Sequence, residues 1–211
     1  MVQLQVDAHR TAVLLVDPYN DFLADGGKLG PGLANVAAAV SLHDHLRAIR
    51  AGARAAGIPL VYVPHHRAEP SDFVGWEHAT PYQLAAAEAQ VFAKGSWGGQ
   101  WHVDFEPAPD DAVAKEHWGS NGFANTDLDL LLRQRGLRRL VVVGLVANTC
   151  IESTAKAAVD LGYHVTLVRD ATAAFSQQAM HAAHELNAPT FAHAVVTTAE
   201  LLAAFASTPR R

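Results

Sequence analysis

Cysteine is nearly absent from this chain: one residue, Cys150, in 211. A lone cysteine closes no internal disulfide, which fits a reducing compartment. Long apolar runs are missing too. None approaches the roughly 18 residues of a membrane span, and the run Ala12 to Val16 is too short, and follows too polar a flank (Asp7, His9, Arg10), for a secretory signal. The expectation is a soluble cytoplasmic protein with no membrane partner. Positive charge is also scarce, with 16 Lys and Arg against 21 Asp and Glu and a net charge of −5. The basic residues are scattered apart from pairs such as Arg138-Arg139, so nucleic acid is not an expected partner. Internal repeats and low-complexity tracts are lacking beyond alanine-rich helices.

What the chain does have is apolar residues, half of the total. That is enough for one well-buried core, whereas two halves would each be poorly buried, so residues 1–211 are expected to form a single domain. Continuous apolar runs at Thr11 to Val16, Leu60 to Val63, Val141 to Val143, His164 to Val168 and Ala194 to Val196, with a weaker one at Ala112 to Ala114, predict strands buried on both faces. Helical patterns fill the intervals: Leu33 to Ala56, Thr80 to Phe92, Thr126 to Arg135, the stretch after Cys150, Ser176 to Leu186 and Thr198 to Phe205. Strands alternating with helices predict an α/β fold with a mostly parallel sheet and helices on both faces. The least regular region, about 65–109, holds the aromatic and glycine-rich segment Gly95 to His102. A loop this long reads as a lid or binding loop, and its tryptophans argue for order.

The chain is organised around Val141 to Ala155, a buried strand, a tight turn and a helix start that carries Cys150. A thiol over a helix N-terminus is expected to have a lowered pKa. Asp17 and Lys115 fall at the ends of two other predicted strands, and right-handed crossovers bring such ends to one edge of the sheet. A carboxylate can take the thiol proton and return it to a leaving amine, while an ammonium favours the thiolate.

Three segments carry a resemblance. They are Leu14-Leu15-Val16-Asp17-Pro18-Tyr19-Asn20-Asp21-Phe22, Lys115 followed by Gly122-Phe123-Ala124-Asn125-Thr126-Asp127-Leu128, and Gly144-Leu145-Val146-Ala147-Asn148-Thr149-Cys150-Ile151-Glu152-Ser153-Thr154-Ala155. In this order the chain resembles the isochorismatase-like cysteine hydrolases along nearly its whole length. The resemblance implies a three-layer αβα fold around a doubly wound six-stranded parallel sheet. It assigns a catalytic triad to Asp17, Lys115 and Cys150, and it implies a cis peptide at Leu145-Val146 that aims the Val146 N–H, beside that of Cys150, at an oxyanion. Removing one such donor typically costs about 10²–10³ in rate. It also implies a homo-oligomer, a dimer or tetramer, with a small-molecule substrate.

Two positions depart from the family. Tyr19 stands where glutamine is usual, which leaves its role open. The nicotinamidase branch places an aspartate and spaced histidines after the second strand, whereas here Val63 leads to Pro64-His65-His66 with no aspartate until Asp72. Adjacent histidines on an extended segment point apart and chelate poorly. No metal and no cofactor are expected, and the chain falls outside that branch. Phe22 reads as a pocket wall, His65 as a candidate substrate contact, and Trp97 and Trp101 as either lid residues over the site or interface residues.

Each candidate also has a plain structural reading: a core thiol for Cys150, a turn cap for Asp17, a solvated charge for Lys115. The constellation carries the inference, which is hydrolysis of a C–N bond in a small amide, lactam or ureido compound through a thiol acyl-enzyme. Two alternatives are an isochorismatase-type vinyl-ether hydrolase, which does not need the thiol, and a non-catalytic binding protein on the same fold. Fast iodoacetamide labelling near neutral pH would speak against the last. An elbow-type hydrolase is excluded because Thr149 and Ile151 flank Cys150.

Overall fold

The computed structural model describes Leu4 and residues 6–208. Six parallel strands form one sheet: β1 (Thr11–Val16), β2 (Leu60–Val63), β3 (Ala112–Val113), β4 (Arg139–Leu145), β5 (His164–Ala173) and β6 (Ala194–Val196), in the order β3-β2-β1-β4-β5-β6. This is the doubly wound arrangement. The winding reverses between β1 and β4, where the loops leaving the two carboxyl ends diverge and open a crevice.

Alternation along β1 explains both faces of the core. Val13 and Leu15 join Leu60, Tyr62, Val141 and Val143 on one side, and Ala12, Leu14 and Val16 join Val61, Val63, Leu140 and Val142 on the other. The first face is covered by α2 (Gly30–Ala39), α3 (Leu42–Ala55) and α8 (Thr198–Ala206), through Leu33, Val36, Leu46, Ile49, Leu201 and Phe205. The second is covered by α5 (Leu128–Gln134) and α6 (Glu152–Asp160), through Leu128, Leu132, Ala155 and Ala158. Each fully buried Leu, Ile or Val contributes roughly 1.5–3 kcal/mol. No helix among the described residues is long and apolar enough to cross a membrane.

The single helix predicted over Leu33 to Ala56 is two, because Ser41 takes a left-handed conformation at φ 49°. The six-residue step from Val36 to Leu42 would turn Leu42 about 120° off the buried face of a straight helix, and the break returns it to the core at 1% exposure. Two short helices belong to the site's surroundings: α1 (Asn20–Leu23), buried beside β1, and α4 (Pro81–Glu88), which buries no residue and is capped by Thr80 and Gln83. A further short helix, α7 (Gln177–His181), continues in wider turns to Asn187. These turns bury His184, whose Nε2 meets Thr172 Oγ1 at 2.7 Å. The sequence pattern puts that histidine on a helix surface or interface; the widened turns carry it inward.

Candidate active site

Three side chains meet at the crevice. A carboxylate oxygen of Asp17, a ring nitrogen of His117 and Cys150 Sγ all lie within 4.8 Å of one another, and all three residues are buried. Asp17 is the first residue past β1. Its backbone is left-handed at φ 54°, held by an N–H bond to the Val63 carbonyl (3.1 Å) and by its own carbonyl accepting from Tyr19 (2.8 Å). Strained backbone of this kind at a non-glycine residue costs on the order of 1–3 kcal/mol and clusters at functional sites.

Cys150 sits in the turn between β4 and α6. The Leu145–Val146 peptide is cis, and the following turn is wide, with the Ile151 N–H bonding the Val146 carbonyl five residues back (3.2 Å). Such π-type turns are rare and often occur at functional sites. Just before it, Gly144 at φ 115° runs so close to β1 that a Cβ would lie 2.2 Å from the Val16 carbonyl oxygen. Only glycine lets β4 carry the thiol this close to Asp17.

Lys115 is not part of this cluster. Its side chain is exposed and its N–H bonds Asp127 Oδ1 (2.7 Å), outside the crevice. The reason is one extra residue in the edge strand. Ala114 donates to the Tyr62 carbonyl and the next rung is His117 to the Pro64 carbonyl, three residues on one side against two on the other. A bulge of this kind reverses which residues face inward. Lys115 therefore stays outside with Val113, and His117 turns in, paired across from His65. The end of the strand and the nearby ammonium point to Lys115 in the sequence; the bulge has no apolar signature that points to His117.

His117 is held from both ring nitrogens. Nδ1 lies 2.6 Å from the Gly119 carbonyl, which can only accept, so Nδ1 carries a proton. Nε2 faces Asp17 Oδ1 at 3.1 Å, with both side chains at 0% exposure. Burial alone would lower the His117 pKa; the charge and hydrogen bond of Asp17, the Gly119 carbonyl and the charge of Glu116 outweigh it and raise it. Asp17 Oδ2 is buried without a hydrogen-bond partner among the described residues.

The thiol corrects the sequence expectation. Burial pushes the Cys150 pKa well up, the nearby charge of Asp17 pushes the same way, and bonds from Thr149 and the Val146 amide oppose them. At 7% exposure, desolvation beside a carboxylate outweighs the helix start. The resting residue is a thiol.

A pocket of about 480 Å³ opens above Cys150, Thr149 and Val146. Phe22 and His65 line it, as do Phe92, Tyr82 and Trp118. Trp97 and Trp101 do not. Trp97 is 50% exposed, and Trp101 bridges to Tyr19 and stacks on its ring (5.0 Å, 17°), away from the thiol. The aromatic cover comes instead from α4 and from Trp118. Tyr82 and Phe92 gave no motif; they come from the segment after His65, where long-loop reasoning placed specificity.

Tyr19 is structural. It is fully buried, its hydroxyl donates to the His65 carbonyl (2.9 Å), and the Arg67 guanidinium sits 4.8 Å over its ring. His66 and His65 diverge as expected: His66 stacks on Trp118 (3.6 Å) and bonds Asp72 (2.8 Å), while His65 packs against Phe92 and His117, with its pKa lowered by burial. Among the described residues, the donor set able to meet at one cation is Asp17, His117 and Cys150; the adjacent histidines are not in it.

Known proteins share this arrangement of the chain. The family model described as Isochorismatase domain matches residues 11–200. A ureidoacrylate amidohydrolase, RutB, of Caulobacter vibrioides is 30% identical over 212 residues, covering 96% of this chain and 94% of that protein. A cysteine hydrolase from Pseudomonas syringae pv. phaseolicola 1448A superposes with a TM-score of 0.81 at 26% identity, covering 98% of this chain and 97% of that one. N-carbamoylsarcosine amidase from Thermoplasma acidophilum gives a TM-score of 0.64 at 25% identity, over 90% and 96% of the two chains.

Proposed function

This chain belongs to the isochorismatase family of hydrolases, and from that premise we propose that it is a cysteine amidohydrolase working through Asp17, His117 and Cys150, cleaving the C–N bond of a small amide or ureido compound. The observation that carries the reading is the convergence of those three buried groups at the carboxyl edge of the sheet. Relatives named for ureidoacrylate and N-carbamoylsarcosine hydrolysis support the bond type.

The chemistry follows from the proton inventory. The Asp17–His117 pair holds one proton between Nε2 and Oδ1, because Nδ1 is already committed to Gly119. Resting Cys150 keeps its own proton. As Sγ attacks the substrate carbonyl, that proton passes to the unpartnered Asp17 Oδ2, and the imidazolium of His117 offsets the charge left on sulfur and oxygen. The C–N bond then breaks with the Asp17 proton going to the departing amine. A water adds to the thioester, gives its proton to Asp17, and the acid leaves as the thiol re-forms. The N–H groups of Val146 and Cys150 serve the oxyanion; the Val146 amide already reaches toward Sγ.

Replacing Cys150 with Ala should abolish turnover while circular dichroism and Tm stay near wild type. Intact-mass analysis of the wild-type protein across small amides and ureides should find an acyl adduct on Cys150. Full activity in the Cys150→Ala variant would sink the covalent scheme.

A further inference from the structure

The pocket over Cys150 is apolar, and its one imidazole flanked by carboxylates, His66, is already shared between Asp72 and Glu116. Of the residues that line it, none is Lys or Arg. Its one carboxylate, Asp72, is tied to His66 Nε2 (2.8 Å) and to the Glu69 N–H (2.8 Å), and His66 is itself pulled toward a second carboxylate, Glu116 (3.5 Å). The cations nearest in sequence are spent elsewhere: Arg67 on Glu116 and the Gly99 carbonyl, Lys94 on Glu69, Lys28 on the Ala89 and Gln90 carbonyls. The walls are Phe22, Phe92 and the alanines of α4, and the rim is aromatic. Trp118 stacks on His66 (3.6 Å) with Trp76 tilted against it at 5.5 Å, Phe73 edge-on at 6.0 Å and Tyr82 standing 66% exposed.

We infer that the substrate is an uncharged amide or ureide bearing a ring-sized apolar group, and that carboxylated ureides, ureidoacrylate among them, are excluded. The inference rests on the hydrolase reading for the reacting bond and goes beyond it in naming the rest of the molecule. A carboxylate entering this pocket loses its water, meets no ammonium or guanidinium, and finds the imidazoles of His66 and His117 already paired with Asp72 and Asp17. An apolar ring gains contact along the walls and against the exposed aromatic rim. Specificity here is the absence of a counter-charge as much as the presence of aromatic surface.

The test separates binding from chemistry. Benzylurea, its 4-carboxy analogue and ureidoacrylate are titrated calorimetrically into the full-length Cys150→Ala protein, and the same three compounds are offered to wild type for turnover. The expected result is that benzylurea binds about 100-fold or more tighter than either carboxylate. In a Tyr82→Arg variant of the Cys150→Ala protein, the gap between benzylurea and its 4-carboxy analogue should narrow by about 10-fold or more. Ureidoacrylate or the 4-carboxy compound binding as well as benzylurea overturns the inference, and so does failure of all three to bind. Tight benzylurea binding with no turnover by wild type upholds the substrate class and strikes the hydrolase reading instead. Efficient ureidoacrylate turnover strikes the substrate class alone.

Discussion

His117 Nε2 lies 3.1 Å from Asp17 Oδ1, and neither side chain touches solvent. The relationship puts an imidazole, not an ammonium, beside the carboxylate of the proposed catalytic pair. A lysine ammonium beside the carboxylate would stay charged to about pH 10, whereas the buried His117 imidazolium has its pKa raised from the ordinary histidine value by the charge and hydrogen bond of Asp17, which outweigh burial. Below the raised pKa the pair is Asp17⁻ with His117⁺ and can offset a thiolate; above it the cation is gone. Activity should therefore fall as pH rises through the folded His117 value. Replacing His117 with Lys should move that alkaline limb upward, and replacing it with Ala should cost about 10²–10³ in kcat/KM. Rate profiles from pH 5 to 10 on one turned-over amide decide this; an unshifted limb in the lysine variant removes His117 from the titration.

Lys115 offers the complementary experiment. Its exposed side chain lies outside the bulge and contributes a backbone N–H, not an ammonium, to its surroundings. Lys115→Ala should leave kcat/KM within about 2-fold and stability within about 0.5 kcal/mol. A loss of two orders of magnitude would return the role to the lysine and displace His117.

The contrast between these two residues shows what can be read from a sequence of this kind. The strands of the sheet were legible because burial on both faces leaves an unbroken apolar run; Thr11–Val16 and Leu60–Val63 begin and end where their residues say. Asp17 was legible for the same reason, since it follows directly on such a run, and Cys150 as the single cysteine in the turn past another. His117 was not, because β3 is a two-residue edge strand whose bulge is set by pairing to Tyr62 and Pro64, not by any local pattern. The pocket cover was hidden as well. The helix α4 buries nothing, so Tyr82 has no periodic signature, while of the conspicuous tryptophans of Gly95 to His102, Trp101 stacks on Tyr19 and Trp97 is half exposed.

Alkylation of Cys150 should be slow in the resting protein. Burial and the neighbouring Asp17 charge keep the residue a thiol, and only 7% of it is exposed. The thiolate is the alkylating species, so the iodoacetamide rate at pH 7 should fall below that of a free cysteine and still be climbing at pH 9. Asp17→Asn removes the carboxylate that raises the thiol pKa and should accelerate labelling several-fold while depressing turnover. A wild-type thiol that reacts at pH 7 as fast as a free cysteine would contradict the electrostatics described above.

Acid should loosen the wall that carries His66 and Arg67 before it unfolds the sheet. Burial of Glu116 acts to raise its pKa, but hydrogen bonds from His66 and from the backbone and side chain of Arg67, with the Arg67 charge, bring it from 4.5 down to about 2. A depressed folded-state carboxylate stabilises the protein fully above its unfolded value, and that contribution is lost as pH falls from 4.5 through about 2. Wild-type Tm should thus decline across this window. Glu116→Gln should begin lower at pH 7, because Arg67 loses its carboxylate while its stack on Tyr19 and Trp101 remains, and its Tm should fall less steeply between pH 4.5 and 2 than that of wild type. Parallel curves for the two proteins would mean that the Glu116–Arg67 pair adds nothing to the fold, and that the Arg67 guanidinium is held by its aromatic contacts and the Gly99 carbonyl alone.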